Sequence, residues 1–188
     1  PDKGHEFKRA CDAIGGSFIT IAPGSGQNIN IMEIRPKDER KTILLDGNEE
    51  ASNSILSAKI QNLHAFFSLL VPDISYEERQ ILDEALMRTY ERFNITTDNN
   101  SLPDPERPGH YRKMPILGDL HQELKNSGTT AQRLCTILGR YVSGSAASFN
   151  QPTNVNLDNK YVVLDVSKLT KEMLPMGIFI ALDYVWDK

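Results

Sequence analysis

Residues 148–169, SFNQPTNVNLDNKYVVLDVSKL, decide how the rest of the chain is organised. Within them, Tyr161–Val166 is a nearly unbroken apolar and β-branched run with turn-forming residues on either side. Such a run is typical of a strand that is buried on both faces in a parallel sheet. A helical pattern follows, with Thr170 as its expected cap. The end of the chain is therefore expected to be a strand and a helix, without the next strand of the sheet.

The start of the chain has the complementary pattern. Residues 4–14 place apolar side chains at helical spacing, and Gly15-Gly16 supplies the stop. The apolar positions are Phe7, Ala10, Cys11 and Ile14. Ser17–Ala22 follows as a β-branched strand candidate and ends at Pro23. Helix, tight turn and strand make half of a βαβ unit whose first strand would precede Pro1.

Helical patterns dominate the middle of the chain. An apolar stripe steps by four and three residues through Leu56, Ile60, Leu63, Phe67 and Leu70. Ser75 and Glu78 form a capping-box pattern that opens a second helix, and a short turn makes an antiparallel pair of these helices the expected packing. Residues 115–125 and 129–142 indicate two further helices, whereas 94–114 indicate an exposed loop.

These patterns predict an α/β fold in which a mostly helical insertion interrupts the sheet. The expected division is an α/β part at 1–51, a helical subdomain at 52–145 and a return to the α/β part at 146–188. Residues 28–34 alternate polar and apolar side chains and predict a short extended segment. The charged residues 35–51 are interpreted as a linker.

Composition excludes several classes of protein. The chain has 188 residues, a formal net charge of −4 and a pI near 5.6, which argues against a nucleic-acid footprint covering the whole domain. Its two cysteines have no close-spaced partner, so a reducing cytoplasm is the simplest compartment. No apolar run is long enough to span a bilayer. The chain opens on Pro1 without an initiator Met, and we interpret it as a piece of a longer protein.

Short motifs for chemistry are weak. Gly24-Ser25-Gly26 is similar to part of a phosphate-binding loop, but Gln27 and Asn28 replace the Lys and hydroxyl residue that such a loop needs, which favours a plain turn. The four histidines show no metal-ligand spacing, so no metal site is expected. They are His5, His64, His110 and His121.

Two sets of basic residues each allow two interpretations. Arg107, Arg112 and Lys113 flank Tyr111 in the loop and could grip phosphate, although a solvated charged loop is the alternative. Arg140 lies seven residues after Arg133 on one helix. It could reach a neighbouring subunit's nucleotide, or it could form a surface salt bridge.

An ordered series of further patterns carries a family resemblance. It comprises Pro1–Phe7 with Glu6; Gly15-Gly16 before a strand; Ile29-Asn30-Ile31; Ala85-Leu86 with Tyr90; Ile95-Thr96; Pro115–Leu120; Gly144-Ser145; Phe149-Asn150; Thr153–Val155; and Val163–Val166. In kind and order, this series resembles the conjugative-transfer ATPases of type IV secretion, the TraC/TraE-like relatives of the HerA–FtsK motor group. Ile31 stands where the family has Pro.

The resemblance implies a RecA-like P-loop ATPase, hexameric, that uses ATP and Mg²⁺ at the cytoplasmic face of the membrane. Its partners would be other secretion-channel proteins, and the resemblance leaves direct nucleic-acid binding open. The phosphate-binding loop would lie before Pro1 and the Walker B acids after Lys188, so this segment alone is expected to be inactive. Glu6 would neighbour the nucleotide, and Asp165 would have a structural role. The alternative is a non-enzymatic helical module that docks a protein partner.

Overall fold

The computed structural model describes residues 3–35 and 54–186. Two strands, β1 (Ser17–Thr20) and β2 (Val162–Asp165), pair in parallel, with Ser17 opposite Val162 and Thr20 opposite Asp165. The two predicted strands therefore form one parallel sheet, although most of the sequence lies between them. The predicted α/β class is confirmed. Most of the linker predicted over 35–51 lies outside the described residues.

Helices make up most of the remaining described structure. They are α1 (Lys3–Ala13), α2 (Ile55–Leu70), α3 (Tyr76–Glu91), α4 (Leu117–Lys125), α5 (Gln132–Val142) and α6 (Leu174–Trp186). Single 3₁₀ turns occur at Asn99–Ser101, Thr129–Ala131 and Ala147–Phe149. The predicted helices are confirmed, and the last of them begins four residues after its expected cap, Thr170. The division at 52–145 stays a prediction.

Local sequence explains where the central helices begin. The Ser75 hydroxyl accepts a hydrogen bond from the Glu78 amide at 3.1 Å, and the Ser75 amide donates to the Glu78 carboxylate at 2.9 Å. This is the predicted capping box, which satisfies two amides that the first turn of α3 leaves without partners. Ser54 accepts from the Ser57 amide at 3.2 Å and starts α2 in the same way.

One hydrophobic core joins the helical region to the end of the chain. The predicted stripe on α2 is buried from Leu56 to Phe67. The rings of Phe66 on α2 and Phe179 on α6 lie 5.2 Å apart between centroids, and both are buried. Burial of each large apolar side chain contributes about 1.5–3 kcal/mol, so the α2–α6 contact is a main attachment between these parts of the chain.

Two expectations about burial near the sheet are wrong. On the predicted apolar face of α1, Cys11 is buried, but Phe7 is 59% exposed, and Ile14, directly after the helix, is 63% exposed. Strand β2 is only half-buried throughout rather than covered on both faces. The common reason is that α1 contacts only β1 and β2 closely, so one side of this small layer stays uncovered within the described residues.

Two predicted irregular segments are more ordered than expected. Within residues 28–34, Ile31 and Met32 form a turn and no residue belongs to a strand, and Ile29, Ile31, Met32 and Ile34 are buried. Residues 94–114 lie over the core through the buried Ile95 and Leu102, and an antiparallel bridge pairs Pro103 with Tyr111. Isolated apolar residues among polar ones therefore anchor both segments.

Candidate functional site

The Gly24-Ser25-Gly26 loop is a turn that serves β1. Gly24 and Gly26 have φ angles of 75° and 73°, in the left-handed region that glycine adopts without strain. The Gln27 side-chain oxygen accepts a hydrogen bond from the Thr20 amide at 2.8 Å. Ser17 and Ile21 donate to β2, so Thr20 faces the opposite edge of β1, and Gln27 blunts that edge. The residues of this loop therefore do not form a phosphate cradle.

Next to this loop, the segment that follows β1 is hydrogen-bonded to the segment that precedes β2. The Asn28 amide donates to the Asn154 side-chain oxygen at 2.7 Å, and the Asn154 amide donates to the Asn28 carbonyl at 3.1 Å. The Asn154 side-chain NH₂ also donates to the Gly26 carbonyl at 2.8 Å. We call Gly26, Asn28 and Asn154 the neck.

Asn30 extends these contacts into the helical region. Its buried side-chain NH₂ donates to the Pro115 carbonyl at 2.8 Å, and its side-chain oxygen accepts from the Met32 amide at 3.1 Å. The Asn30 amide donates to the Thr153 hydroxyl at 2.9 Å. A buried amide side chain is tolerated when its donor and acceptor are paired, and these bonds fix the segment around Asn30 in one conformation.

The first turn of α4 is held by the side chains of Asn150 and Asp119. The Asn150 side-chain oxygen accepts from the Gly118 amide at 2.7 Å, and Asp119 accepts from the Ile116 amide at 2.8 Å. A Cβ atom on Gly118 would lie 3.0 Å from the Asn150 side chain, which explains the glycine. Four segments that the family resemblance singled out, around Asn30, Pro115–Gly118, Asn150 and Thr153, therefore meet at one place.

A buried ion pair joins α2 to α6. The Lys59 ammonium on α2 lies 2.8 and 2.9 Å from the two carboxylate oxygens of Asp183 on α6. The two side chains are 6% and 2% exposed. Arg35 lies 3.5 Å from Asp183 and 3.8 Å from Glu33, which accepts a hydrogen bond from Thr153. This charged group connects α2, α6 and the segment that carries Asn30.

Tyr90 on α3 completes the contacts at this place. Its fully buried hydroxyl donates to the Met32 carbonyl at 2.6 Å. Burial, with a smaller contribution from the negative charge of Asp183, raises the pKa of the Tyr90 hydroxyl well above its usual value. The phenol therefore stays protonated and remains a donor. We call the neck, Asn30, Asn150, the Lys59–Asp183 group and Tyr90 the junction.

The side chains of the junction hold parts of the fold in position. Asp183 already accepts from Lys59 and lies beside Arg35, so its carboxylate is engaged in holding cations rather than in taking a proton from a ligand. The polar side chains join backbone segments that lie far apart in sequence. The arrangement fixes the helical region relative to β1 and β2.

A signal for the ion pair was present in the sequence. Lys59 lies between Leu56 and Leu63 on the apolar stripe of α2, and Asp183 continues the buried face of Phe179 on α6. A charged residue on an apolar face indicates a buried partner, because an unpaired charge there would be costly. Sequence analysis did not use this signal, and the partner of each residue could not be read from it.

The sequence-predicted site residues lie apart from the junction. Glu6 is exposed in the first turn of α1. Arg140 forms an ion pair with Glu172 at 2.6 Å, and Arg133 pairs with Asp73 and Glu78. No hydrogen bond or ion pair joins Glu6 to Arg140 in the part of the chain that the structure describes. Their proposed roles stay predictions.

Metal and membrane features are absent from the described ranges. No group of three or more His, Cys, Asp or Glu side chains there could hold a metal ion. Among residues 3–35 and 54–186, no helix combines the length and apolar character needed to cross a bilayer.

Asp165, at the end of β2, accepts from the Ser167 amide at 3.0 Å and closes the turn that follows.

The fold of this chain is similar to that of a type IV secretion ATPase, VirB4. Among solved structures, the chain is similar to VirB4 of Thermoanaerobacter pseudethanolicus, with a TM-score of 0.76 and 26% sequence identity. The similarity covers 96% of this chain and 65% of that one. No protein-family model and no curated protein matches the chain.

The resemblance to conjugative-transfer ATPases is thereby confirmed, because one VirB4 structure accounts for nearly the whole chain. The chain spans less than two thirds of the solved VirB4 chain.

Proposed function

We propose that this chain is a segment of an ATPase that energises type IV secretion and conjugative DNA transfer. The similarity to VirB4 over 96% of the chain carries the proposal. The meeting of the resemblance segments at the junction supports it, because these segments lie far apart in sequence.

In this proposal, the phosphate chemistry belongs to other parts of the parent polypeptide. The Gly-rich loop of this segment lacks a lysine for phosphate, because Gln27 follows Gly26 and its side chain is bonded to β1. ATP and Mg²⁺ would be held by the parent, and the segment alone would not hydrolyse ATP. Glu6 would lie near the nucleotide.

An uncovered apolar surface supports a larger core. The outer face of α6 exposes a stripe of apolar side chains at helical spacing, whereas its inner face is buried. The exposed residues are Leu174, Ile178, Leu182 and Val185. A helix that is apolar all round is normally covered on all sides. Further elements of a RecA-like sheet in the parent would cover this stripe and extend the sheet from β2, since Gln27 blocks the free edge of β1.

The test is ATP hydrolysis by the full-length polypeptide that carries this sequence. We expect Mg²⁺-dependent hydrolysis that is lost when the Lys of an upstream GxxxxGK[ST] loop is changed. We expect no hydrolysis from residues 1–188 alone. A full-length polypeptide that has neither this loop nor a strand ending in Asp-Glu would overturn the proposal.

The proposed motor is a hexamer at the cytoplasmic face of the membrane, in contact with other channel proteins. Arg140 would contact the nucleotide of a neighbouring subunit. Arg140→Ala should then lower kcat by about 10³-fold. Glu172→Gln, which removes only the partner of Arg140 within the chain, should leave kcat unchanged or raised. Equal losses in both variants would assign Arg140 to a structural ion pair.

A further inference from the structure

The loop over residues 94–114 is a folded element that forms one wall of a cleft. The Asp104 amide donates to the His110 carbonyl at 2.8 Å, and the Arg112 amide donates to the Leu102 carbonyl at 2.9 Å. The buried Leu102 anchors this small hairpin to the core. The charged side chains of the loop therefore have a fixed backbone beneath them.

The cleft lies between this loop and the end of α3, and its volume is about 380 Å³. Its walls include four cationic side chains and two anionic ones. The cations are Arg92, Arg107, Arg112 and Lys113, and the anions are Asp104 and Glu106. The lining is therefore net positive in a chain whose formal net charge is −4.

Existing contacts orient the two arginines of the loop, Arg107 and Arg112, without using all of their donors. Arg107 Nε donates to Asp104 at 2.7 Å, and Arg112 Nε donates to the Ser101 carbonyl at 2.9 Å. Each guanidinium carries five N–H groups, so its outer nitrogens keep donors for a ligand. Lys113 is exposed and has no hydrogen bond or ion pair with another described residue. Guanidinium groups fixed in this way match carboxylates in bidentate geometry.

We propose that this cleft binds a carboxylate-rich segment of a partner protein. Glu106 and Asp104 lie among the cations, so the lining has mixed charge and suits an acidic peptide that also carries neutral or basic side chains. A nucleic-acid backbone carries a phosphate at every nucleotide, whereas a peptide of mixed composition can place neutral or basic side chains beside these two carboxylates, which favours the peptide. The proposal rests on the cleft alone and is independent of the proposed ATPase activity.

A fluorescently labelled peptide in which glutamates alternate with glycines tests the proposal by anisotropy against the full-length polypeptide at low salt. Arg112→Gln/Lys113→Gln should weaken peptide binding by about tenfold for each lost charge-assisted contact. The matched control, Lys168→Gln/Lys171→Gln, removes two exposed cations elsewhere and should leave the Kd unchanged. Glu106→Gln removes a repelling charge and should tighten binding.

The variants also separate the proposal from misfolding and from the motor function. Arg112 supports the Ser101 carbonyl, so Lys113→Gln alone provides a substitution without a contact to lose, and it too should weaken peptide binding. ATP hydrolysis without peptide should be the same in all variants. Equal weakening by the cleft and control pairs would overturn the proposal. A single-stranded oligonucleotide that binds more tightly than the peptide, with the same dependence on Arg112 and Lys113, would also overturn it.

Discussion

The Lys59 ammonium and the Asp183 carboxylate form a buried ion pair, at 2.8 and 2.9 Å, that joins α2 to α6. Removal of one partner leaves the other charge in the core, and such changes typically cost about 3–5 kcal/mol. We therefore expect Lys59→Met to lower the free energy of unfolding by about 3 kcal/mol, at the lower end because Arg35 lies 3.5 Å from Asp183. Urea unfolding measures this change.

The exposed pair of Lys8 and Asp12 is a matched control, with the same 2.8 Å separation. Lys8→Met should cost about 0.5 kcal/mol or less because water screens the pair.

The double change Lys59→Met/Asp183→Leu should cost about 1–3 kcal/mol less than the sum of its two single changes. Additive costs would show that the two charges do not interact.

The effect of Gly118→Ala on stability should change sign when Asn150 is replaced by Ala. Asn150→Ala removes the acceptor for the Gly118 amide at the start of α4 and should cost about 1 kcal/mol. Gly118→Ala should also destabilise the protein, because its new Cβ would displace the Asn150 side chain.

When Asn150 is already Ala, the space beside Gly118 is open and the helix propensity of alanine should dominate. Gly118→Ala should then stabilise the protein by up to about 1 kcal/mol. Thermal unfolding of the two single variants and the double variant measures the reversal. Destabilisation by Gly118→Ala in both backgrounds would contradict the assigned contact.

Tyr90→Phe should destabilise the protein although it removes only a hydroxyl group. The Met32 carbonyl would lose its donor within the core, and an unsatisfied buried acceptor costs about 1–3 kcal/mol. Tyr76→Phe is the control, because Tyr76 is exposed. If chemical denaturation finds the two variants equally stable, the hydroxyl of Tyr90 makes no net contribution.

His121 should make stability depend on pH. Partial burial, with a smaller effect from Lys125, lowers the pKa of His121 below its usual 6.5. The unfolded chain therefore binds a proton at a higher pH than the folded chain, so stability is lost as the pH falls below about 6.5. In His121→Gln, the melting temperature should fall less between neutral and mildly acidic pH. An unchanged pH profile in this variant would exclude His121 as the cause.

The helices could be predicted from the sequence because their signals are local. The capping box of Ser75 and Glu78 spans four residues, and the stripe that starts at Leu56 reflects the turn of one helix. The two strands could be predicted for a similar reason, since each is a compact apolar run between turn residues, but their pairing is a long-range contact.

The junction could not be predicted in the same way because its bonds connect distant parts of the chain. The Asn30 side chain bonds to Pro115, 85 positions away, and the Asn30 amide bonds to Thr153, 123 positions away. Asparagines are frequent in turns, so the local sequence does not tell which distant groups Asn30 will bind. The exposure of Phe7 was missed for a different reason, since helical spacing identifies an apolar face but not what covers it.

The neck has a consequence for the length of the chain between its two asparagines. Because Asn28 and Asn154 are bonded to each other, the chain between them begins and ends at the same point. The entropy cost of closing that excursion rises by only about 0.6 kcal/mol for each doubling of its length. Lengthening or trimming a surface loop between Asn28 and Asn154 should therefore cost little free energy, while their hydrogen bonds still hold the two ends of the excursion together.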